Sequence, residues 1–319
     1  MNLHQVPDNF AELVAATAQH FSIPEIYVEK DYWVTWVLRN LSQSEYRDRL
    51  VFKGGTSLSK AFKLINRFSE DVDLAAFVPD LTPNQIKNFI RHSEAALSEG
   101  LEYVPEHAGE SKHGRFRKTW YRYPRSMNGI FGQTSEYLLL EINSFTTPEP
   151  FTLRPIYSLI TEFLITINRP DMIAEFGLVS FDINVLDIER TVAEKVMGLI
   201  KATHSADPNK ELKSKIRHIY DLCMIKRHED HRSLFANNNM VDMLRVVAQA
   251  DRIQFKEAEQ WLIPPFHETL LFASPKQSWE PLRNEFHGSF ATLVYDDDIP
   301  EDDEVFAMLD AVHSQLLHY

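Results

Sequence analysis

The sequence predicts an α+β fold, with strands and helices mixed in the N-terminal half and a mainly helical C-terminal half. Three observations predict it. Segments near 50–52, 71–77 and 137–145 have the composition or alternation of strands. The first of them runs into Gly54-Gly55, and helical apolar spacing follows at once. From about Asp187 onward the apolar residues recur at helical spacing. With 319 residues, 44% of them apolar and 25% charged, the chain has the balance of a globular protein with a substantial core. The expected division is 1–185, with a helical lead-in over 1–42, and 186–319.

The opening 40 residues read as two helices. The second runs from about Pro24 to Leu41 and spaces Ile26, Trp33, Val37 and Leu41 along one side. Leu50-Val51-Phe52 is a short strand. Thr56 to Leu64 follows as a helix, with Leu58, Ala61, Phe62 and Ile65 apolar. Asp71–Phe77 and Tyr137–Phe145 are strands. Helices are expected at 187–203, 212–227, 239–250 and 254–262, then a break at Pro264-Pro265 and a last helix at 303–317.

Composition narrows the function classes. No stretch approaches the roughly 20 apolar residues that cross a bilayer, so no membrane partner is expected. The opening MNLHQVPDNF has no basic segment followed by an apolar one, so no secretory signal is read there. Cys223 is the single cysteine, which precludes an internal disulfide; the expected compartment is the cytoplasm. The net charge of −13 opposes nucleic-acid binding as a sum, but the charge is polarised. Residues 111–125 hold Lys112, Arg115, Arg117, Lys118, Arg122 and Arg125 and no carboxylate, with Phe116, Trp120, Tyr121 and Tyr123 between them. That combination suits RNA, cations meeting phosphates and rings stacking on unpaired bases. The alternative is an exposed basic hairpin whose rings sit in the core. The acidic run 296–304 reads most simply as a solvated loop.

The chemistry concentrates between Lys53 and Phe77. Glycines at a strand-to-helix turn let the backbone approach a ligand, and the hydroxyls of Thr56 and Ser57 at the helix start suit an anion. On the next strand Asp71 and Asp73 are two residues apart and share a face, opposite Val72 and Leu74. Two adjacent carboxylates repel, and a divalent cation removes the conflict; Mg²⁺ characteristically takes one or two carboxylates plus substrate phosphates. Glu141 interrupts an apolar strand, where an unpaired charge is costly, and becomes a third acid if its strand lies beside Asp71–Phe77. Singly these features also fit a plain turn, a solvated strand edge and a Glu–Arg pair. Their order fits one site.

Gly-Gly, a short helix and then Asp-x-Asp resembles the first motif of the polymerase-β nucleotidyltransferase superfamily. The fuller string GGTSLSK…NRFSEDVDL resembles the AbiEii/AbiGii toxin family in particular. VEKDYWVTWVL at 28–38, LLLEIN at 138–143, ERTVAEKVMGLI at 189–200 and IRHIYDL at 216–222 are similar to further strings of that family, in its order. The resemblance implies a mixed sheet flanked by helices in a nucleotidyltransferase domain. It implies a magnesium-dependent toxin of a bacterial toxin–antitoxin or phage-abortive system, moving NMP from an NTP to the 3′ end of tRNA, with a cognate antitoxin. It implies Gly54, Gly55, Thr56 and Ser57 as nucleotide-binding, with Lys60 and Lys195 as further cations. Asp71, Asp73 and Glu141 become metal-binding and catalytic, with Lys195 and Asp221 completing the catalytic set. Where the family usually has Arg-Asp, this chain has Arg217-His218.

The residues allow other readings of the last pair. Lys195 shares an apolar stripe with Ile188, Val192 and Leu199, so it is either a snorkelling lysine or a phosphate-facing one. Arg217 and Asp221 are four apart and fit a structural ion pair, although Arg-first is the weaker order. Two rival functions stay open: nucleotidylation of a protein, and a non-catalytic nucleotide-binding module acting through a partner.

Overall fold

A computed structural model of the protein describes residues 1–127, 129, 135–236, 239–295 and 298–319. The fold is α+β, and the chain divides into two compact units, residues 1–63 with 68–186, and residues 64–67 with 187–319.

Unit 1 carries a mixed sheet of eight strands among the described residues. They are β1 (Leu50–Lys53), β2 (Val72–Ala76), β3 (Glu102–Val104), β4 (Ser111–His113), β5 (Phe116–Arg122), β6 (Leu138–Asn143), β7 (Phe151–Ile156) and β8 (Phe181–Leu186). Their order is β3-β5-β6-β2-β1-β8-β7, with β4 on β5. β2 and β6 run parallel, whereas β1–β2 and β5–β6 are antiparallel. The helices of this unit are α1 (Pro7–Phe21), α2 (Glu25–Gln43), α3 (Gly54–Lys60), α4 (Pro83–Leu97), α5 (Leu159–Thr166) and α6 (Pro170–Glu175). Val72, Leu74, Leu138, Leu140 and Ile142 share one sheet face and are buried. α4 covers that face, since its Glu94 accepts hydrogen bonds from Arg117 and, at 2.6 Å, from the Thr119 hydroxyl.

The helix after the glycine turn is shorter than its apolar spacing predicts. It ends at Lys60, and Lys63 takes a left-handed φ of 55°. Leu64–Arg67 then belongs to unit 2, where Leu64 and Ile65 are buried, Arg67 bridges Val294, and Asn66 O accepts from Tyr295 N at 2.6 Å. Apolar residues read as one helix face are thus shared between two cores.

Unit 2 consists of α7 (Ile188–Thr203), α8 (Pro208–Ser214), α9 (Ile216–Arg227), α10 (Glu229–Arg232), α11 (Asn239–Gln254), α12 (Glu259–Leu262), α13 (Leu270–Ala273), α14 (Pro275–His287), α15 (Asp302–Leu316) and short 3₁₀ turns. The acidic run departs from its reading as a solvated loop. Asp298 and Glu304 both hold Arg227, and Asp302 accepts from Trp279 Nε1 at 2.9 Å. Asp302, Asp303 and Glu304 form the first turn of α15, where carboxylates suit the helix dipole. Asp296 and Asp297 lie outside the described residues. No helix among the described residues is long and apolar enough to cross a membrane.

Candidate active site

The centre of the site is a row of four residues across four strands. Lys53 on β1 pairs in register with Asp73 on β2, Asp73 with Glu141 on β6, and Glu141 with Lys118 on β5. Residues directly opposite one another in a sheet project to the same face. The row therefore reads Lys–Asp–Glu–Lys on the face opposite the buried apolar residues, with Asp71 two residues before Asp73.

Electrostatics follow from that placement. Burial, then the neighbouring Glu141 and Asp71 carboxylates, push the Asp73 carboxyl up to about 8, against the opposing pull of Lys53 and Lys118. Near neutral pH Asp73 thus holds its proton, the two lysines at the ends of the row not offsetting its burial and the neighbouring carboxylates.

The glycine turn is built against the same carboxylate. Gly54 has a φ of 83°, and a Cβ there would collide with Asp73 Oδ2 and lie 3.3 Å from its Cγ. Glycine is needed twice over, for the backbone angle and for the approach of Asp73. Gly54→Ala is expected to lose about 1–2 kcal/mol of stability from the left-handed backbone alone. Activity should fall with it as Asp73 is displaced. A denaturant midpoint and a transfer assay on the same variant check both; wild-type values in both would refute the link.

The hydroxyls predicted to meet a ligand are engaged in the fold. Thr56 and Ser57 are buried; Thr56 Oγ1 lies 2.9 Å from Ser69 Oγ, and Ser57 donates to Gly54 O at 2.9 Å. They shape the turn, while Gly54 and Gly55 stay half-exposed. Lys60 is engaged within the fold as well. Its buried ammonium lies 2.6 Å from Asp31 Oδ1 and 2.7 Å from Thr35 Oγ1, so its charge is spent on α2.

Three successive charges of α2, invisible as site residues in the sequence, brace this region. Glu29 accepts from Ser126 N at 2.6 Å and Met127 N at 3.1 Å. Lys30 bonds Glu70, the residue before Asp71, and Ser135 O. Asp31 holds Lys60 and accepts from Leu159 N at 2.8 Å. One turn of helix fixes the end of α3, the entry to the acidic strand and the approach to β6.

The basic stretch is largely engaged within the fold, which favours the reading of a basic hairpin with its rings in the core. Trp120, Tyr121 and Tyr123 are buried, so three of its four rings cannot stack on a base. Lys112 pairs with Glu110 at 2.7 Å, Arg117 with Glu94, Arg122 with Glu102 at 3.4 Å, and Arg125 with Glu136 at 3.8 Å. Arg115 donates to Ser144 O at 2.6 Å. These cations neutralise their own domain.

In unit 2, Asp221 on α9 is fully buried between two cations. Arg67 donates to it through Nε at 2.7 Å and Nη2 at 2.9 Å, and Lys195 on α7 through Nζ at 2.6 Å. Burial by itself would raise the Asp221 carboxyl; Arg67 and Lys195 outweigh it and hold it well below the usual carboxylate range. Asp221 thus fixes Lys195, and its bidentate partner is Arg67, which comes from outside the helical segment. His218 is half-buried with Nδ1 3.4 Å from Lys195 O, and desolvation, then Lys195 and Lys215, keep its imidazole well below its ordinary value.

Residues 36–307 match the family model described as nucleotidyl transferase AbiEii toxin, type IV toxin–antitoxin system. Among solved structures, MenT4, a nucleotidyltransferase toxin from Mycobacterium tuberculosis H37Rv, aligns over 96% of this chain and 98% of its own, at 19% identity and a TM-score of 0.48. No curated protein matches the sequence.

Proposed function

This chain belongs to the AbiEii family of nucleotidyltransferase toxins of type IV toxin–antitoxin systems, and we propose that it moves NMP from a nucleoside triphosphate to the 3′ hydroxyl of tRNA, with Mg²⁺ as cofactor. The observation carrying this reading is the register of Asp73 with Glu141 beside Gly54. Three carboxylates there, one pushed up to about 8 by burial and by the other two, fit a hard divalent cation. Among the described residues no three His, Cys, Asp or Glu side chains form a ready-made metal-binding group, so an ion here would need further ligands from phosphate and water. Asp71, Asp73 and Glu141 would hold it, and when bound it would polarise the α-phosphate and stabilise the leaving oxygens.

The protein's own residues do the rest. The acceptor oxygen attacks the α-phosphorus, its proton passes to a carboxylate of the row, and the bond to the bridging oxygen breaks with pyrophosphate leaving. In unit 2, Lys195 held by Asp221 is the proposed counter-charge for an anionic substrate. The tRNA acceptor follows the family resemblance and draws nothing from the basic stretch. A cognate antitoxin is the expected protein partner, in a phage-defence setting.

Incubation of the pure protein with total RNA, Mg²⁺ and each α-labelled NTP in turn tests the reading. Label at the 3′ ends of tRNA, abolished by EDTA, is the expected result. Label on protein alone would replace the acceptor, and label on neither would overturn the reading.

A further inference from the structure

We propose that Lys118 is a catalytic residue of this active site that contacts the phosphates of the nucleoside triphosphate. The proposal rests on the metal-dependent transfer assigned above to the carboxylate row.

Strand parity carries the first part. Arg117 and Lys118 are adjacent on β5 and so face opposite sides of the sheet. Arg117 stands opposite Ile142 and reaches Glu94 of α4 on the apolar face, whereas Lys118 stands opposite Glu141 on the acidic face. Charge carries the second. The other five cations of the stretch are spent on Glu110, Ser144 O, Glu94, Glu102 and Glu136. Among the described residues Lys118 makes no hydrogen bond or ion pair; its ammonium lies 5.6 Å from the centroid of the Trp120 ring. A half-buried lysine beside carboxylates, yet not salt-bridged to them, is left with donors for something else. An ammonium is a compact point charge with three donors, suited to non-bridging phosphate oxygens. With a cation on the carboxylates, a triphosphate drawn to it comes within reach of Lys118. Lys53 closes the opposite end of the row.

The test compares Lys118→Met, Lys118→Arg, Lys112→Gln and Asp73→Asn, with NTP varied at saturating tRNA and NTP binding measured separately by calorimetry. Lys118→Met is expected to raise the KM for NTP and weaken NTP binding by roughly 10- to 100-fold, the size of a charge-assisted contact. The KM for tRNA and the melting temperature should stay at wild-type values. Lys118→Arg should recover part of the loss, and Lys112→Gln, which removes an exposed cation already paired with Glu110, should lose nothing. An unchanged KM for NTP in Lys118→Met, or a loss confined to tRNA, overturns the proposal. If Lys118→Met does not fold, the folded Lys118→Arg variant decides by whether NTP binding is weaker than wild type; wild-type binding overturns it. An inactive Asp73→Asn with wild-type Lys118→Met rejects this inference alone. A fully active Asp73→Asn rejects the reading of the site beneath it.

Discussion

Asp73→Asn is expected to lower nucleotidyl transfer by roughly 10³-fold and, in the same protein, to raise the melting temperature without metal. The opposed signs share one cause. Asp73 is driven by burial, then by Glu141 and Asp71, to about 8, while the ordinary value is 3.8. Between those two pH values the folded chain holds a proton that the unfolded chain has released, so stability without metal falls as pH rises through that window. Above about 8 both states are ionised and the penalty stays constant. Asparagine cannot ionise and escapes the penalty, so the gain should be smallest near pH 4, grow towards pH 8 and level off. Melting curves in EDTA at pH 5, 7 and 8.5, beside single-turnover assays in Mg²⁺, measure both effects. Adding Mg²⁺ should raise the melting temperature of the wild type more than that of Asp73→Asn, because binding only the folded state stabilises it. A variant that keeps full activity, or that melts below wild type in EDTA at pH 8, would sink the account. Function and stability conflict here because the carboxylates are held close together for a ligand that the folded chain does not itself supply.

What the sequence disclosed depended on how local the cause was. Asp71 and Asp73 sharing a face follows from strand alternation, and the bend at Gly54-Gly55 from glycine's backbone freedom; neither needs a partner element. Glu141 was legible as an oddity, a charge within LLLEIN, but its neighbour was not. The parallel pairing of β2 with β6 joins residues far apart in the chain and is decided by which faces pack, as is the antiparallel pairing of β6 with β5. Lys118 was accordingly read with its basic neighbours, because a composition window ignores parity and parity separates it from Arg117. Lys53 stood in view beside Gly54, and only the β1–β2 register marks it as the end of a charged row. The excursion of Leu64–Arg67 was hidden for a related reason: its apolar residues fit a helical period equally well while packing in a different unit. In VEKDYW the deciding partners are again distant in the chain. A charged run in a helix reads as a solvated face, yet Glu29 and Lys30 are buried because each finds a specific partner.

The largest stability loss is expected from Asp221→Ala. Arg67 and Lys195 lie in the interior of unit 2 and share this one carboxylate, which is itself fully buried. Removing the acid leaves two buried cations without their shared counter-charge, a class of change that costs about 3–5 kcal/mol. For a protein of 319 residues that is a fall of roughly 4–8 °C in melting temperature. The wild-type carboxyl is held low by Arg67 and Lys195, so its contribution should be fully present above the ordinary value of 3.8 and be lost only as pH falls below it. The difference between wild type and Asp221→Ala should therefore be constant from pH 5 to 8. Lys195→Met separates structure from chemistry. Asp221 keeps its two-point bond to Arg67, so the variant should lose about 1–2 kcal/mol, while transfer falls by far more than that loss explains if Lys195 meets an anionic substrate. Should Lys195→Met unfold as readily as Asp221→Ala and retain transfer per folded molecule, the trio is a brace for unit 2 alone, and the anion-facing role proposed for Lys195 is wrong.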